Sequence, residues 1–132
     1  MRTLFDIEGL YHVFKTSSIG NEYIFLVLLL LLTPDGIKRL LNYIIMGTRG
    51  GYARGRIINA LKGQPQNAHQ LSQKLGYDYS TIRHHLDVLM ENHLILPTGE
   101  RYGQVYSISP ELEINYSVFL SIWRTAASEP AK

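Results

Sequence analysis

Cysteine is absent from this sequence of 132 residues. Disulfide bonds are therefore excluded, as are metal centres that depend on thiolate ligands. The N-terminal residues also lack the basic start, apolar segment and small-residue cleavage site of a secretory signal. We therefore expect a cytoplasmic protein.

An excess of charge of one sign is missing as well. Lysine and arginine together number 13, against 11 aspartates and glutamates, which leaves a formal net charge of +2. So small an excess gives only weak support for a polyanionic partner.

Recognisable catalytic motifs are also missing. The sequence has no nucleophile elbow, phosphate-binding loop or zinc-protease motif, and its carboxylates form no local pair that their spacing would single out. We expect a protein that is not an enzyme and that needs no cofactor.

The histidines give little support for a metal site. The only adjacent pair is His84 and His85, and neighbouring residues on a helix point about 100° apart, so the two cannot share one ion well. His85 falls at the edge of the inner face of its predicted helix, where a packed and hydrogen-bonded imidazole is the favoured interpretation. We predict no metal site.

The most informative stretch runs from residue 67 to residue 92 and predicts two short helices joined by a tight turn. Asn67 is a good N-cap for the first helix, and Gly76 accepts the left-handed conformation that ends many helices. After the turn, Ser80 or Thr81 can cap the second helix. At 100° per residue, that helix has an apolar inner face (Ile82, Leu86, Leu89, Met90) and a polar outer face (Ser80, His84, Asp87, Glu91), with Thr81 and Arg83 at the flanks.

The outer face near the start of the second helix carries hydroxyl, guanidinium and imidazole groups, which suit the major groove of DNA. We therefore predict a recognition helix at about residues 80–92. For basic residues outside it, a solvated helix face is the competing interpretation, since phosphate contacts carry no sequence information. The predicted contacts are Ser80, Thr81, Arg83 and His84 for bases and nearby phosphates, Tyr79 for a phosphate or sugar, and Arg54 and Lys74 for further phosphates.

Residues 95–108 predict a strand, a turn and a second strand. Gly99 and Gly103 supply the positive φ that hairpin loops need, and the residues that follow have strand propensity. We predict that this hairpin is a wing whose Arg101 reaches the minor groove or lies along the phosphate backbone. The alternative for Arg101 is a solvated charge paired with Glu100.

Several motifs of this region occur together: residues 49–51 (RGG), 54–61, 67–71 (NAHQL), 75–79 (LGYDY), 81–89 (TIRHHLDVL) and 102–106 (YGQVY). In this combination the chain resembles the ArsR-type winged helix-turn-helix regulators, and the RHHLDVL sequence is similar to an archaeal branch of them. The resemblance covers roughly residues 48–112. It implies DNA binding by a homodimer formed through terminal helices, but it says little about the operator or the signal, because one fold serves many functions.

The N-terminal part contains an apolar run at residues 23–32, followed by Thr33-Pro34-Asp35, which predicts the start of a helix that continues to Met46. Two interpretations stay open: the segments pack on each other and on a second subunit, or the run associates with a membrane. A single membrane span fails on length, since ten helical residues reach about 15 Å against about 30 Å of hydrocarbon. An apolar-ligand pocket within residues 23–46 is a further hypothesis.

The predicted fold is mainly α with a small β-hairpin wing, in three regions. Residues 1–47 form an N-terminal hydrophobic helical segment, residues 48–109 a winged helix-turn-helix domain, and residues 110–132 a single apolar dimerisation helix and tail. Ser109-Pro110-Glu111 is typical of the start of that last helix.

These patterns predict a sequence-specific regulator of transcription that binds double-stranded DNA as a homodimer. The alternative is a winged-helix module for protein–protein interaction, with or without membrane association, that does not bind DNA specifically. Arg83, His84 and Arg101 argue against this alternative, because they stand where a DNA-binding protein needs them. The small net charge argues mildly in its favour.

Overall fold

The computed structural model describes residues 34–100 and 103–128 of the chain. The chain divides into two compact units, Met1–Ile37 and Lys38–Lys132. The predicted apolar run at residues 23–32 and the wing residue Arg101 lie outside the described residues. In chain order the elements are α1 (Pro34–Ile45), α2 (Gly51–Gly63), α3 (Ala68–Leu75), α4 (Tyr79–Glu91), β1 (Ile95–Thr98), β2 (Val105–Ile108), α5 (Pro110–Ile114) and α6 (Tyr116–Ser128).

The end of α1 approaches the start of α2 closely. A Cβ atom at Gly51 would overlap the carbonyl oxygen of Ile45, so this approach requires glycine. The Thr48 hydroxyl donates a hydrogen bond to the Ile44 carbonyl at 3.3 Å in the short connection between the helices. Local contacts of Thr48 and Gly51 with the last turn of α1 therefore fix the connection between α1 and α2.

Helix α3 has the start and the end that the sequence predicts. The Asn67 side chain accepts a hydrogen bond from the Gln70 N–H at 2.7 Å, and the Gln70 side chain accepts one from the Asn67 N–H at 2.8 Å. This reciprocal pair is a capping box. Gly76 ends the helix with φ of 77° and donates its N–H to the Ser72 carbonyl.

Helix α4 packs on α2 and α3 through its apolar face. Ile82, Leu86 and Leu89 are fully buried there, as expected from their spacing. The helix begins at Tyr79, with Asp78 at the N-cap position. The prediction that Ser80 or Thr81 caps the helix is therefore wrong, because the turn is shorter than predicted and both hydroxyls lie in the first helical turn.

The predicted hairpin follows α4. Strands β1 and β2 pair antiparallel, from Ile95 opposite Ile108 to Thr98 opposite Val105. Gly99 and Gly103 have φ of 93° and 96°, which side chains with a Cβ rarely adopt. Together with the helix pair, this hairpin confirms the predicted winged helix-turn-helix fold.

Tyr106 of β2 connects the hairpin to the start of the helix pair. Its N–H donates to the Gln66 carbonyl at 2.8 Å, and its carbonyl accepts from the Gln66 N–H at 3.1 Å. Gln66 immediately precedes the N-cap of α3. The wing and the helix pair therefore share a backbone link as well as packing contacts.

The C-terminal segment forms two helices rather than the single predicted one. Asn115 separates α5 from α6, and its side-chain amide (2.8 Å) and backbone N–H (3.3 Å) both donate to the Glu111 carbonyl at the end of α5. Helix α6 packs on α2, where Trp123 fills the space above Gly55 so closely that any Cβ there would overlap the indole ring. Across residues 34–100 and 103–128, no helix has the length and apolar character required to cross a membrane.

Candidate nucleic-acid interface

The first turns of α4 present a polar surface. Tyr79 is 47% exposed, Ser80 and His84 are exposed, and Thr81 is half-buried. Ile82 is fully buried, and because neighbouring residues on a helix point in different directions, the residues on either side of it face solvent. Four of the residues predicted from the sequence to contact DNA therefore lie together at one end of one helix.

Helix α3 contributes to the same surface. The His69 ring lies 5.0 Å from the Tyr79 ring, centroid to centroid, at an interplanar angle of 41°. Lys74 is exposed in the last turn of α3. His69 was not predicted as part of the site, and its contact with Tyr79 depends on how the two helices cross, which spacing along one helix does not reveal.

Arg83 lies at the boundary between α4 and the wing. Its Nη1 donates a hydrogen bond to the Tyr106 hydroxyl at 2.6 Å, and its Nη2 lies 4.0 Å from the Asp87 carboxylate. The side chain remains 41% exposed. Tyr106 was likewise not predicted as a site residue, because a strand tyrosine 23 positions from Arg83 carries no signal that marks it as a partner.

Arg54 occupies a different environment from the one expected for a phosphate contact. It is only 5% exposed, its Nε donates to the Ile44 carbonyl at 3.1 Å, and its Nη2 donates to the Thr48 hydroxyl. Burial lowers the pKa of its guanidinium, an effect that the neighbouring Tyr43 partly opposes. The structure thus gives Arg54 a place in the core, and we leave it out of the DNA-binding surface proposed below.

The same guanidinium contacts the inner face of α4. Arg54 Nη1 lies 3.3 Å from His85 Nδ1, and because an arginine can only donate, this bond requires an imidazole whose Nδ1 is unprotonated. Burial, then the positive charge of Arg54 and then His84 lower the pKa of His85 to about 4. His85 is therefore neutral at pH 7 and is a packed, hydrogen-bonded residue, as the sequence indicated.

The structure offers no metal centre within the residues that it describes. No group of three or more histidine, aspartate or glutamate side chains is arranged to hold an ion in this part of the chain. The His84 and His85 rings lie 5.4 Å apart at an interplanar angle of 57°, with His84 exposed and His85 buried. Arg101, the predicted wing-tip contact, lies outside the described residues.

Residues 53–95 match the sequence model of a protein family described as "Bacterial regulatory protein, arsR family". The match begins inside α2 and ends at the start of β1, so it includes both helices of the helix-turn-helix. It confirms the resemblance to ArsR-type regulators over residues 53–95 and supports DNA-binding regulation of transcription. The similarity to an archaeal branch stays a prediction. A search of curated proteins finds no significant match to the chain.

Proposed function

We propose that this protein is a sequence-specific transcription regulator that binds double-stranded DNA as a homodimer. The match of residues 53–95 to the arsR family model supports this proposal. Helix α4 enters the major groove, and the β1–β2 wing lies at the minor groove or the backbone. The observation that carries this proposal is the polar surface formed by Tyr79, Ser80, Thr81 and His84 at the start of α4, held in place by a fully buried apolar face.

The chemistry of each group supports a role at DNA. Hydroxyls in the first turn of α4 are not used to cap the helix, so Ser80 and Thr81 are available for base edges or phosphates. His84 offers an exposed imidazole one helical turn further on. Arg83 offers N–H groups that can donate hydrogen bonds to guanine or phosphate. Tyr79 and Lys74 flank these residues, and Arg101 remains the proposed contact at the wing tip.

Exposed apolar side chains on the described residues support a homodimer. Tyr43 of α1 is 63% exposed, Tyr52 of α2 is 51% exposed, and Ile114 at the end of α5 is 82% exposed. The Tyr52 ring lies 5.2 Å from the Trp123 ring, so the start of α2 and helix α6 form one partly apolar surface. A symmetric dimer through the terminal helices places two recognition helices about 34 Å apart, which matches successive turns of one DNA face.

The hypothesis that residues 23–46 bind an apolar ligand or contact a membrane stays a proposal. Tyr43 and Met46 are the exposed apolar side chains of that range within the described residues. Sedimentation of the full chain, alone and with lipid vesicles, tests the homodimer and the membrane contact. A monomer at micromolar concentrations would reject the homodimer, and a protein that does not sediment with vesicles would reject membrane contact.

Fluorescence anisotropy tests DNA binding directly. The probes are a duplex from upstream of the protein's own gene and a shuffled duplex of equal composition, each at about 50 and about 200 mM salt. We expect tighter binding to the native duplex and a steep loss of affinity with salt, because bound basic groups displace phosphate counterions. The absence of binding to either duplex at low salt would reject the proposal and favour the protein–protein interaction module.

A further inference from the structure

We propose that Tyr106 is a positioning residue for DNA recognition, which orients the Arg83 guanidinium from the wing toward an acceptor oxygen of the bound duplex. This inference rests on the function proposed above and adds a residue to it that makes no contact with DNA itself. It concerns the one hydrogen bond that joins a side chain of the recognition helix to a side chain of the wing within residues 34–100 and 103–128.

Tyr106 is the fixed member of the pair. Its side chain is 1% exposed, and its backbone is hydrogen-bonded through both N–H and carbonyl to Gln66. On its other edge it stands opposite Pro97 in the β1–β2 register. The hydroxyl is therefore held at a defined place by the strand and by the start of the helix pair.

Arg83 is the member whose charge remains available. Its side chain is 41% exposed, and the Tyr106 hydroxyl takes a hydrogen bond from Nη1 only. A guanidinium has five N–H donors in a planar fork, so most of them are left for a second acceptor. The Asp87 carboxylate, at 4.0 Å and half-exposed, is too distant and too hydrated to occupy them.

The consequence is a reduced conformational freedom of Arg83 before DNA binds. A free arginine side chain loses much rotamer entropy when it is immobilised at an interface, and a side chain already held in place loses less. The acceptor is an oxygen in either case: the O6 edge of a guanine, or a phosphate of the backbone.

A double-mutant cycle tests the inference. Wild type, Tyr106→Phe, Arg83→Ala and the double variant are titrated into the native and shuffled duplexes by anisotropy. We expect Tyr106→Phe to lose about 3- to 10-fold in affinity, the range for one net hydrogen bond. In the Arg83→Ala background the same substitution should change affinity less than about 2-fold, because its effect acts through Arg83.

A guanine acceptor and a phosphate acceptor predict different patterns of affinity loss for Tyr106→Phe. A loss confined to the native duplex assigns Arg83 to a guanine. A loss of equal size on both duplexes, with a shallower salt dependence, assigns it to a phosphate.

Tyr116→Phe is the matched control, because it removes a hydroxyl from another buried tyrosine, one that packs on Phe119. It should leave affinity unchanged. If Tyr106→Phe fails to fold, Arg83→Lys replaces it, since Arg83 is half-exposed and lysine keeps the charge but not the planar fork. We expect Arg83→Lys to lose at least about 3-fold in affinity.

Equal losses for Tyr106→Phe in both backgrounds would overturn the inference, because they indicate a general structural role. Unchanged or tighter binding by Tyr106→Phe would also overturn it, and so would wild-type affinity of Arg83→Lys. If the proposed function is wrong, the wild-type protein itself binds neither duplex at low salt, which also rejects the positioning role of Tyr106.

Discussion

Two arginines of the helix-turn-helix unit have opposite environments. Arg54 on α2 is buried, and its Nε, Nη1 and Nη2 contact Ile44, His85 and Thr48 respectively. Arg83 on α4 is half-exposed and is held by the Tyr106 hydroxyl, with donors left over. An arginine thus joins α1, α2 and α4 in one place and keeps its charge exposed in the other.

The difference arises from the backbone around each residue. A Cβ at Gly50 would lie 2.6 Å from both the Arg54 guanidinium and the His85 ring, so this glycine leaves room for the buried pair. On the outer side of α4, the Arg83 side chain stays 41% exposed among the described residues and bonds to Tyr106 of the hairpin. Burial, rather than residue type, therefore separates a structural arginine from one whose charge remains exposed.

The largest expected effect comes from removing the buried arginine. Arg54→Ala should lower the free energy of unfolding by about 2 to 4 kcal/mol, because it leaves His85 Nδ1 without a donor, removes the Nε–H bond to the Ile44 carbonyl and opens a cavity. Urea denaturation measures this. Arg56→Ala is the control: Arg56 is half-buried and makes one bond to the Leu75 carbonyl, so about 1 kcal/mol is expected. Equal effects for both variants would contradict the comparison.

Acid should have the next largest effect, by destabilising the buried contact between Arg54 and His85. The pKa of His85 is near 6.5 in the unfolded chain and about 4 in the folded protein, so between these pH values the unfolded chain binds more protons. The contribution of neutral His85 to the free energy of unfolding is therefore fully present above about pH 6.5. It decreases as the pH falls toward 4, by at most about 3 kcal/mol in total. Urea midpoints measured across this range test the expectation. His85→Gln should flatten the profile, and an unchanged profile in that variant would show that other groups cause the dependence.

Arg83 should give the reverse of the Arg54 result. Arg83→Ala should cost about 1 to 3 kcal/mol in DNA binding, measured by anisotropy, and less than about 1 kcal/mol in unfolding, measured with urea. A large loss of stability would place Arg83 with Arg54 among the structural residues and remove the contrast between them.

The smallest effect is expected at Asp87. This carboxylate is 54% exposed and 4.0 Å from Arg83, and exposed pairs of this kind contribute about 0 to 1 kcal/mol. Asp87→Asn should leave the urea midpoint unchanged within error. Its affinity for DNA should rise slightly, because a negative charge on the outer face of α4 is removed. A weaker affinity would show that Asp87, and not Tyr106, positions Arg83.

Local sequence patterns predicted those parts of the fold that depend on neighbouring residues. The Asn67 cap, the Gly76 helix end and the hairpin glycines are recognisable because the residues that cause each feature lie within a few positions of it. The inner face of α4, including His85, followed from helical spacing in the same way. These features define the helix pair and the wing.

Features that depend on distant contacts were not predictable from such patterns. His85, one of the three partners of Arg54, lies 31 positions from it, and Tyr106 lies 23 positions from Arg83. Nothing in the spacing of Arg54 separates a core residue from a phosphate contact, since either role fits one polar position on a helix. The break at Asn115 was also missed, because the apolar spacing on both sides of it fits one continuous helix.

The link between Gln66 and Tyr106 has a consequence for the order in which the protein folds. During synthesis Gln66 is made before Tyr106, so the residues of α3 and α4 precede the strand with which Gln66 pairs. Contacts between residues far apart in sequence also form late, because closing a long loop costs entropy. We therefore expect a chain truncated before β2 to lack both the Gln66–Tyr106 backbone pair and the hydroxyl that binds Arg83.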